Sequence, residues 1–239
     1  MALSVIAVTA VIIVGSISIF ANSNRLLPIY CVKTDKKQIA ISFDAAWGND
    51  DTQTLIDILA EYKVPATFFV VGAWVDKYPE SVKALSDAGH RIENHSNTHP
   101  HMPQLSKEQM KNEINSCNEK IKAVTGRCPT LLRPPYGDYD NALIEVMNEC
   151  KMYTIQWDVD SLDWKDSATV DSIVTRVTGK VKPGSVVLFH NDATHTPEAL
   201  PIILEKLIAD GYTFVKADEL IYKGNYEILH DGTQCKKDG

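Results

Sequence analysis

Residues 38–44 read QIAISFD, a short run of apolar, β-branched and aromatic side chains that stops on a carboxylate. Runs of the same kind return at 66–72, 91–95, 130–134, 153–158, 185–190 and 213–217. Between them, the segments 52–62, 78–88, 107–124, 141–150, 169–181 and 197–209 carry apolar residues three and four apart, the period of a helix with one buried face. Gly89, Gly126, Gly184 and Gly211 supply stop signals, Ser106 with Gln109 has the form of a capping box, and Leu200, Ile203, Leu204, Leu207 and Ile208 make a core-facing stripe. Seven strands alternating with six helices predict an α/β fold on a parallel sheet, and at this length a closed or nearly closed, TIM-like barrel. In such a barrel, chemistry gathers on the loops at the C-terminal ends of the strands.

The composition is that of an ordinary globular protein: 239 residues, 44% hydrophobic and 23% charged, which excludes disordered and fibrous classes. With 24 Lys+Arg against 31 Asp+Glu the formal charge is −7, which repels phosphate backbones, so no nucleic acid partner is expected. Residues 2–21 stand apart as an uncharged run about as long as a helix that crosses a hydrocarbon core of about 30 Å. Residues 1–22 therefore read as a signal anchor or a cleavable signal peptide, giving membrane attachment and export. Residues 23–35 read as a linker, 36–222 as one domain and 223–239 as a tail. The five cysteines lack a CxxC pair; they are small buried hydrophobes or, in an oxidising compartment, include a bridge such as Cys31 with Cys235.

Titratable residues collect just after the strands. Asp44 ends the first run, His95 and His99 follow the third, and Arg133 ends the fourth. Asp160, Asp163 and Trp164 follow the fifth, and His190 ends the sixth. An unpaired buried charge costs several kcal/mol, so a ring of such groups implies that they pair or bind a metal. His95 and His99 are spaced to meet one divalent cation, although two surface histidines in a polar loop have the same spacing. Arg133 can fix the Asp44 carboxylate, and His190 becomes a general acid if Asp163 holds its charged form. Trp47, Tyr136 and Trp164 offer flat walls for a sugar ring, or plain core.

In these residues the chain resembles the polysaccharide deacetylases of carbohydrate esterase family four, the NodB-homology domain. The resemblance runs over roughly 36–222 through Ser42-Phe43-Asp44, His95-Ser96-Asn97-Thr98-His99, Arg133-Pro134-Pro135-Tyr136-Gly137, Asp160-Ser161-Leu162-Asp163-Trp164 and Leu188-Phe189-His190. It implies a distorted (β/α)7 barrel and metal-dependent removal of acetyl groups from amino sugars of a cell-wall glycan. By that resemblance Asp44 is the base, His95 and His99 are ligands of a divalent metal such as zinc or cobalt, and Arg133 tethers Asp44. Likewise Asp163 tunes the acid His190, the Tyr136 N–H meets the oxyanion, and Pro135, Trp164 and Leu188 belong to the substrate pocket.

One position departs from the family pattern: Ala45 stands where a second Asp usually supplies a third metal ligand. The Phe-Asp-Ala-Ala-Trp-Gly stretch is similar to the sporulation-associated PdaB-like branch, which points to peptidoglycan and to a weakly held metal. Asp50 or Asp51 could replace the missing ligand, or cap the helix beginning near Thr52. Two other functions follow from the same residues: a wall-glycan-binding protein that has lost turnover through Ala45, and a metal-dependent amidohydrolase for small molecules.

Overall fold

The structure, a computed structural model, describes residues 25–237. The expected membrane segment at 1–22 lies outside the described residues; among those described, no helix is long and apolar enough to cross a membrane. The strands are β1 (Cys31–Val32), β2 (Gln38–Ala45), β3 (Ala66–Val70), β4 (Arg91–Asn94), β5 (Leu131–Leu132), β6 (Tyr153–Thr154), β7 (Val159–Asp160), β8 (Val186–His190), β9 (Thr213–Phe214), β10 (Tyr226–Ile228) and β11 (Thr233–Lys236). The helices are α1 (Thr52–Glu61), α2 (Gly72–Lys77), α3 (Pro79–Asp87), α4 (Lys107–Thr125), α5 (Asn141–Glu149), α6 (Val170–Lys180), α7 (Thr196–Ala209) and α8 (Ala217–Leu220).

Strand β2 organises the barrel. Its alternation sends Ile39, Ile41, Phe43 and Ala45 into the apolar layer shared with the helices, where the Phe43 ring stacks on Phe68 at 4.7 Å and on Phe189 at 5.6 Å. Ser42 and Asp44 occupy the opposite row. On one side β2 pairs in parallel with β3, and on the other with β8, in a register that sets Asp44 beside His190. The full order is β6-β5-β4-β3-β2-β8-β7, and its neighbouring pairs are parallel. The fold is thus the expected distorted (β/α)7 barrel, left open between β6 and β7.

Two strand assignments differ from the sequence reading. The run at 153–158 divides, with β6 at its start and β7 just beyond its end, so β7 is the sheet's final strand. The run at 213–217 gives only β9, which pairs with the first two residues of β2. The segments read as linker and tail carry structure too. Ile29 donates to Thr154 O at 2.9 Å and accepts from Gln156 N at 2.7 Å, so the chain before β1 lies along the open edge of β6. Strand β1 then pairs in parallel with β11, itself antiparallel to β10. That register sets Cys31 opposite Thr233 and Cys235 opposite Glu227, and both cysteines are free thiols, so the bridge suggested for them is absent.

Gly184 makes this seal possible. Its φ is +83°, and its carbonyl accepts from Val32 N at 2.9 Å, while a Cβ at this position would lie 1.7 Å from Val32 O. Neither the left-handed backbone nor that approach tolerates a side chain. Gly184→Ala is expected to lower unfolding stability by at least ~2 kcal/mol, measured by urea denaturation.

Candidate active site

The pocket opens at the C-terminal ends of the strands, with a volume of about 810 Å³. Asp44, His95, His99, Tyr136, Asp163, Trp164, Leu188 and His190 all line it, so most of the residues singled out in the sequence meet at one place. Arg133 and Pro135 are buried and do not line the pocket. The rim is aromatic: Trp47, Tyr136 and Trp164 are 60, 58 and 55% exposed, which is unusual for large apolar rings and suits them to stack on a ligand.

Arg133 is fully buried behind the pocket. Its Nη1 donates to Asp44 Oδ1 at 2.8 Å, and its Nη2 donates to Ser42 Oγ at 2.8 Å and Gln156 O at 3.2 Å. The guanidinium also sits 4.1 Å over the Phe69 ring. Burial alone would push the Asp44 carboxyl up, but the Arg133 charge, aided by His190, holds it below the usual carboxylate range. Asp44 is therefore an ionised acceptor at neutral pH.

His95 Nδ1 lies 2.7 Å from Arg133 O. A carbonyl only accepts, so Nδ1 carries the proton and Nε2 presents its lone pair, 3.6 Å from Asp44 Oδ2. Burial lowers the His95 pKa, which makes that contact one between a neutral ring and a carboxylate rather than an ion pair. The His99 ring lies edge-on at 5.0 Å, its pKa lowered to about 4 by burial and then by His95. Two neutral imidazoles side by side, one held by a backbone carbonyl, are a donor pair that fits a divalent cation.

A third protein ligand is missing from that set. Among the described residues, no group of three or more His, Cys, Asp or Glu could hold a metal ion. Ala45 is fully buried in the apolar layer, and Asp51 spends one carboxylate oxygen on the N–H of Asp192 at 2.8 Å.

His190 has the opposite electrostatics. Its Nδ1 lies 2.8 Å from Asp163 Oδ1, and its backbone N–H donates to Asp163 Oδ2, also at 2.8 Å. Thr196 Oγ1 at the start of α7 completes the grip on Asp163 at 2.7 Å. Burial opposes the imidazolium, but the hydrogen bond and charge of Asp163 outweigh it and raise the His190 pKa.

Several contributors escaped the sequence reading. Ser42 was findable, since it shares the inward row of β2 with Asp44. Gln156 was not, because its role is to hold Gly137 O at 2.8 Å from a distant loop. That loop places Tyr136 at φ +60°, with its ring stacked on His101 at 4.1 Å. His101 thus packs against the pocket wall and pairs with Asp138.

Fold and site define a class: parallel (β/α)7 barrels with an Asp–Arg pair, two neutral imidazoles and an Asp–His pair at their strand ends. The profile of the polysaccharide deacetylase family matches residues 32–155. The peptidoglycan N-acetylmuramic acid deacetylase PdaA of Bacillus subtilis is 32% identical over 197 residues, 81% of this chain and 75% of that protein. PdaC of the same organism, also a peptidoglycan N-acetylmuramic acid deacetylase, is 35% identical over 79% of this chain, which spans only 40% of PdaC. Among solved structures, the pseudoenzyme BA3943 of Bacillus anthracis superposes with a TM-score of 0.78 at 33% identity, covering 82% of this chain and 69% of its own. This chain belongs to the polysaccharide deacetylase family.

The Asp44 pair has a measurable signature. The folded pKa of Asp44 lies below its unfolded value, so its contribution to stability is full above the ordinary carboxylate range and is lost as pH falls through the folded value. Arg133→Leu strands a buried carboxylate and is expected to cost about 3–5 kcal/mol at neutral pH. The deficit should shrink on acidification, as Asp44 takes up a proton in the variant first; denaturant unfolding at pH 7 and pH 4 checks both parts.

Proposed function

We propose that this chain hydrolyses the N-acetyl groups of amino sugars in a cell-wall glycan, with peptidoglycan as substrate. The observation that carries the reading is the meeting of an ionised carboxylate, two neutral imidazoles and a charge-favouring imidazole in one aromatic-rimmed pocket. The names of PdaA and PdaC support the choice of glycan.

His95 and His99 would hold the divalent cation, with zinc the expected ion because imidazole suits it. When bound, the cation polarises the acetyl carbonyl and lowers the pKa of water. Asp44, fixed by Arg133, accepts a proton from the attacking water. Its low pKa makes it a weak base that passes the proton on readily. The N–H of Tyr136 would donate to the oxygen on which negative charge develops, a donor type that contributes roughly 2.7–4 kcal/mol. His190 protonates the departing amine nitrogen, so that acetate and a free amino sugar leave. Trp47, Tyr136 and Trp164 stack on the sugar rings, with Leu188 against the acetyl methyl.

Residues 1–22, as anchor or signal segment, would carry the barrel across the membrane to the wall, with 36–222 as its catalytic body. The sporulation-associated branch suggested by the stretch around Ala45 adds a setting for such a reaction. A second reading has its own observation: Ala45 leaves two protein ligands, and BA3943 is called a pseudoenzyme. On that reading the chain binds wall glycan with little turnover, and it predicts retention on wall material without acetate release.

Acetate release from peptidoglycan and from N-acetylglucosamine oligomers, with added zinc or cobalt, separates the two. His190→Ala is expected to reduce release by at least ~100-fold, and equal release from both proteins would sink the mechanism. Activity needs His190 protonated and falls as pH rises through its raised pKa. Asp163→Asn should therefore move the alkaline limb of the pH–rate profile to lower pH, while a limb that stays in place removes His190 as the acid.

A further inference from the structure

The loop joining His95 to His99 has an awkward backbone. Ser96 has φ +69° and His99 φ +62°, left-handed conformations that side chains other than glycine's rarely adopt. Such a loop keeps its shape only if its surroundings impose it. Its carbonyls are held by the first turn of α2, where Gly72 N donates to Ser96 O at 3.0 Å and Ala73 N to Asn97 O at 2.9 Å. At the strand end, Asn94 Oδ1 accepts from Ser96 N at 2.7 Å, and Asn94 Nδ2 donates to Ile114 O of α4 at 2.9 Å.

His99 N turns back to Ser96 Oγ at 3.0 Å, and the N–H groups of Asn97 and Thr98 between them go to one side chain. Glu113, on α4, accepts from Asn97 N and Thr98 N through Oε2, both at 2.8 Å, and from Thr98 Oγ1 through Oε1 at 2.9 Å. Glu113 makes no ion pair among the described residues, so its carboxylate is committed to the loop. Hydrogen bonds to a charged acceptor are about twice as strong as neutral ones, and three of them converge here.

We infer that Glu113 is a positioning residue: it clamps the left-handed loop so that the imidazoles of His95 and His99 converge on one point. The inference rests on the reading of those two residues as the metal pair. With no third side-chain ligand among the described residues to organise the site, convergence of the imidazoles must come from the backbone that carries them, and Glu113 holds that backbone from the helix side. Lys120, two turns further along α4, reinforces the same loop by donating to Asn97 Oδ1 at 2.7 Å.

The test compares wild type, Glu113→Ala and Glu113→Gln by cobalt titration and by amide hydrogen exchange at residues 97 and 98. Gln keeps an oxygen for the two N–H groups and can donate its amide to Thr98 Oγ1, so it should behave like wild type to within about threefold. Ala leaves both N–H groups without their partner. Faster exchange at both amides is expected, with a cobalt affinity roughly 10- to 100-fold weaker and a loss in kcat rather than KM. Wild-type cobalt affinity in Glu113→Ala would overturn the clamp, as would a Gln variant as weak as Ala. A wild-type protein that binds no cobalt would overturn the reading of the imidazole pair, and the clamp's purpose with it.

Discussion

Everything at the mouth of this barrel depends on one buried charge pair. Arg133 is removed from water inside a parallel sheet, a costly placement unless its donors are met. Asp44 meets one nitrogen, while Ser42 and Gln156 O meet another, and Ser42 in turn donates to Val187 O at 2.6 Å. One guanidinium thereby ties the residue following β5 to β2 and, through Ser42, to β8. The main chain of the same residue does a second task, because Arg133 O fixes the tautomer of His95. The ionised carboxylate and the imidazole lone pair facing it are thus aligned by a single residue, and neither could shift without the other.

Three of the histidines that line the pocket show how neighbours decide protonation. Burial disfavours charge on both His95 and His99, with His95 adding to the effect at His99, and their pKa values fall. His190 is buried too, yet Asp163 grips both its ring and its backbone, and its pKa rises. Lone pairs on one side of the pocket and a proton on the other suit a reaction that needs an electrophile held and an amine protonated. The asymmetry arises from one carboxylate, placed by the register of β8 and the first turn of α7.

Most of this was legible in the sequence because parallel strands buried on both faces are written as continuous apolar runs, and the residue that breaks each run is the one at the barrel mouth. Asp44, Arg133 and His190 were found that way. What stayed hidden has a common cause. Strands of two residues, such as β1 and β7, are too short to show a period, and β10 and β11 alternate weakly with polar residues. Glu113 sits in KNEINSCNEK, where a glutamate reads as solvated helix surface; only the tertiary fold brings the loop over it. Gln156 is invisible for the same reason.

Ala45 draws these threads together. It follows Asp44 directly, so strand alternation sends its side chain into the apolar layer with Ile39, Ile41 and Phe43, where it is fully buried. A carboxylate placed there would be desolvated against hydrocarbon, at a cost of several kcal/mol, unless a cation met it. Alanine removes that cost, and it leaves no carboxylate next to Asp44 for a cation to meet. On the proposed reading, the free energy of metal binding would then depend on two neutral imidazoles, and hence on how firmly the loop between them is held. On that reading, what the strand end does not contribute as a ligand, the helix beneath the loop would contribute as order, through the three hydrogen bonds that Glu113 accepts from Asn97 and Thr98.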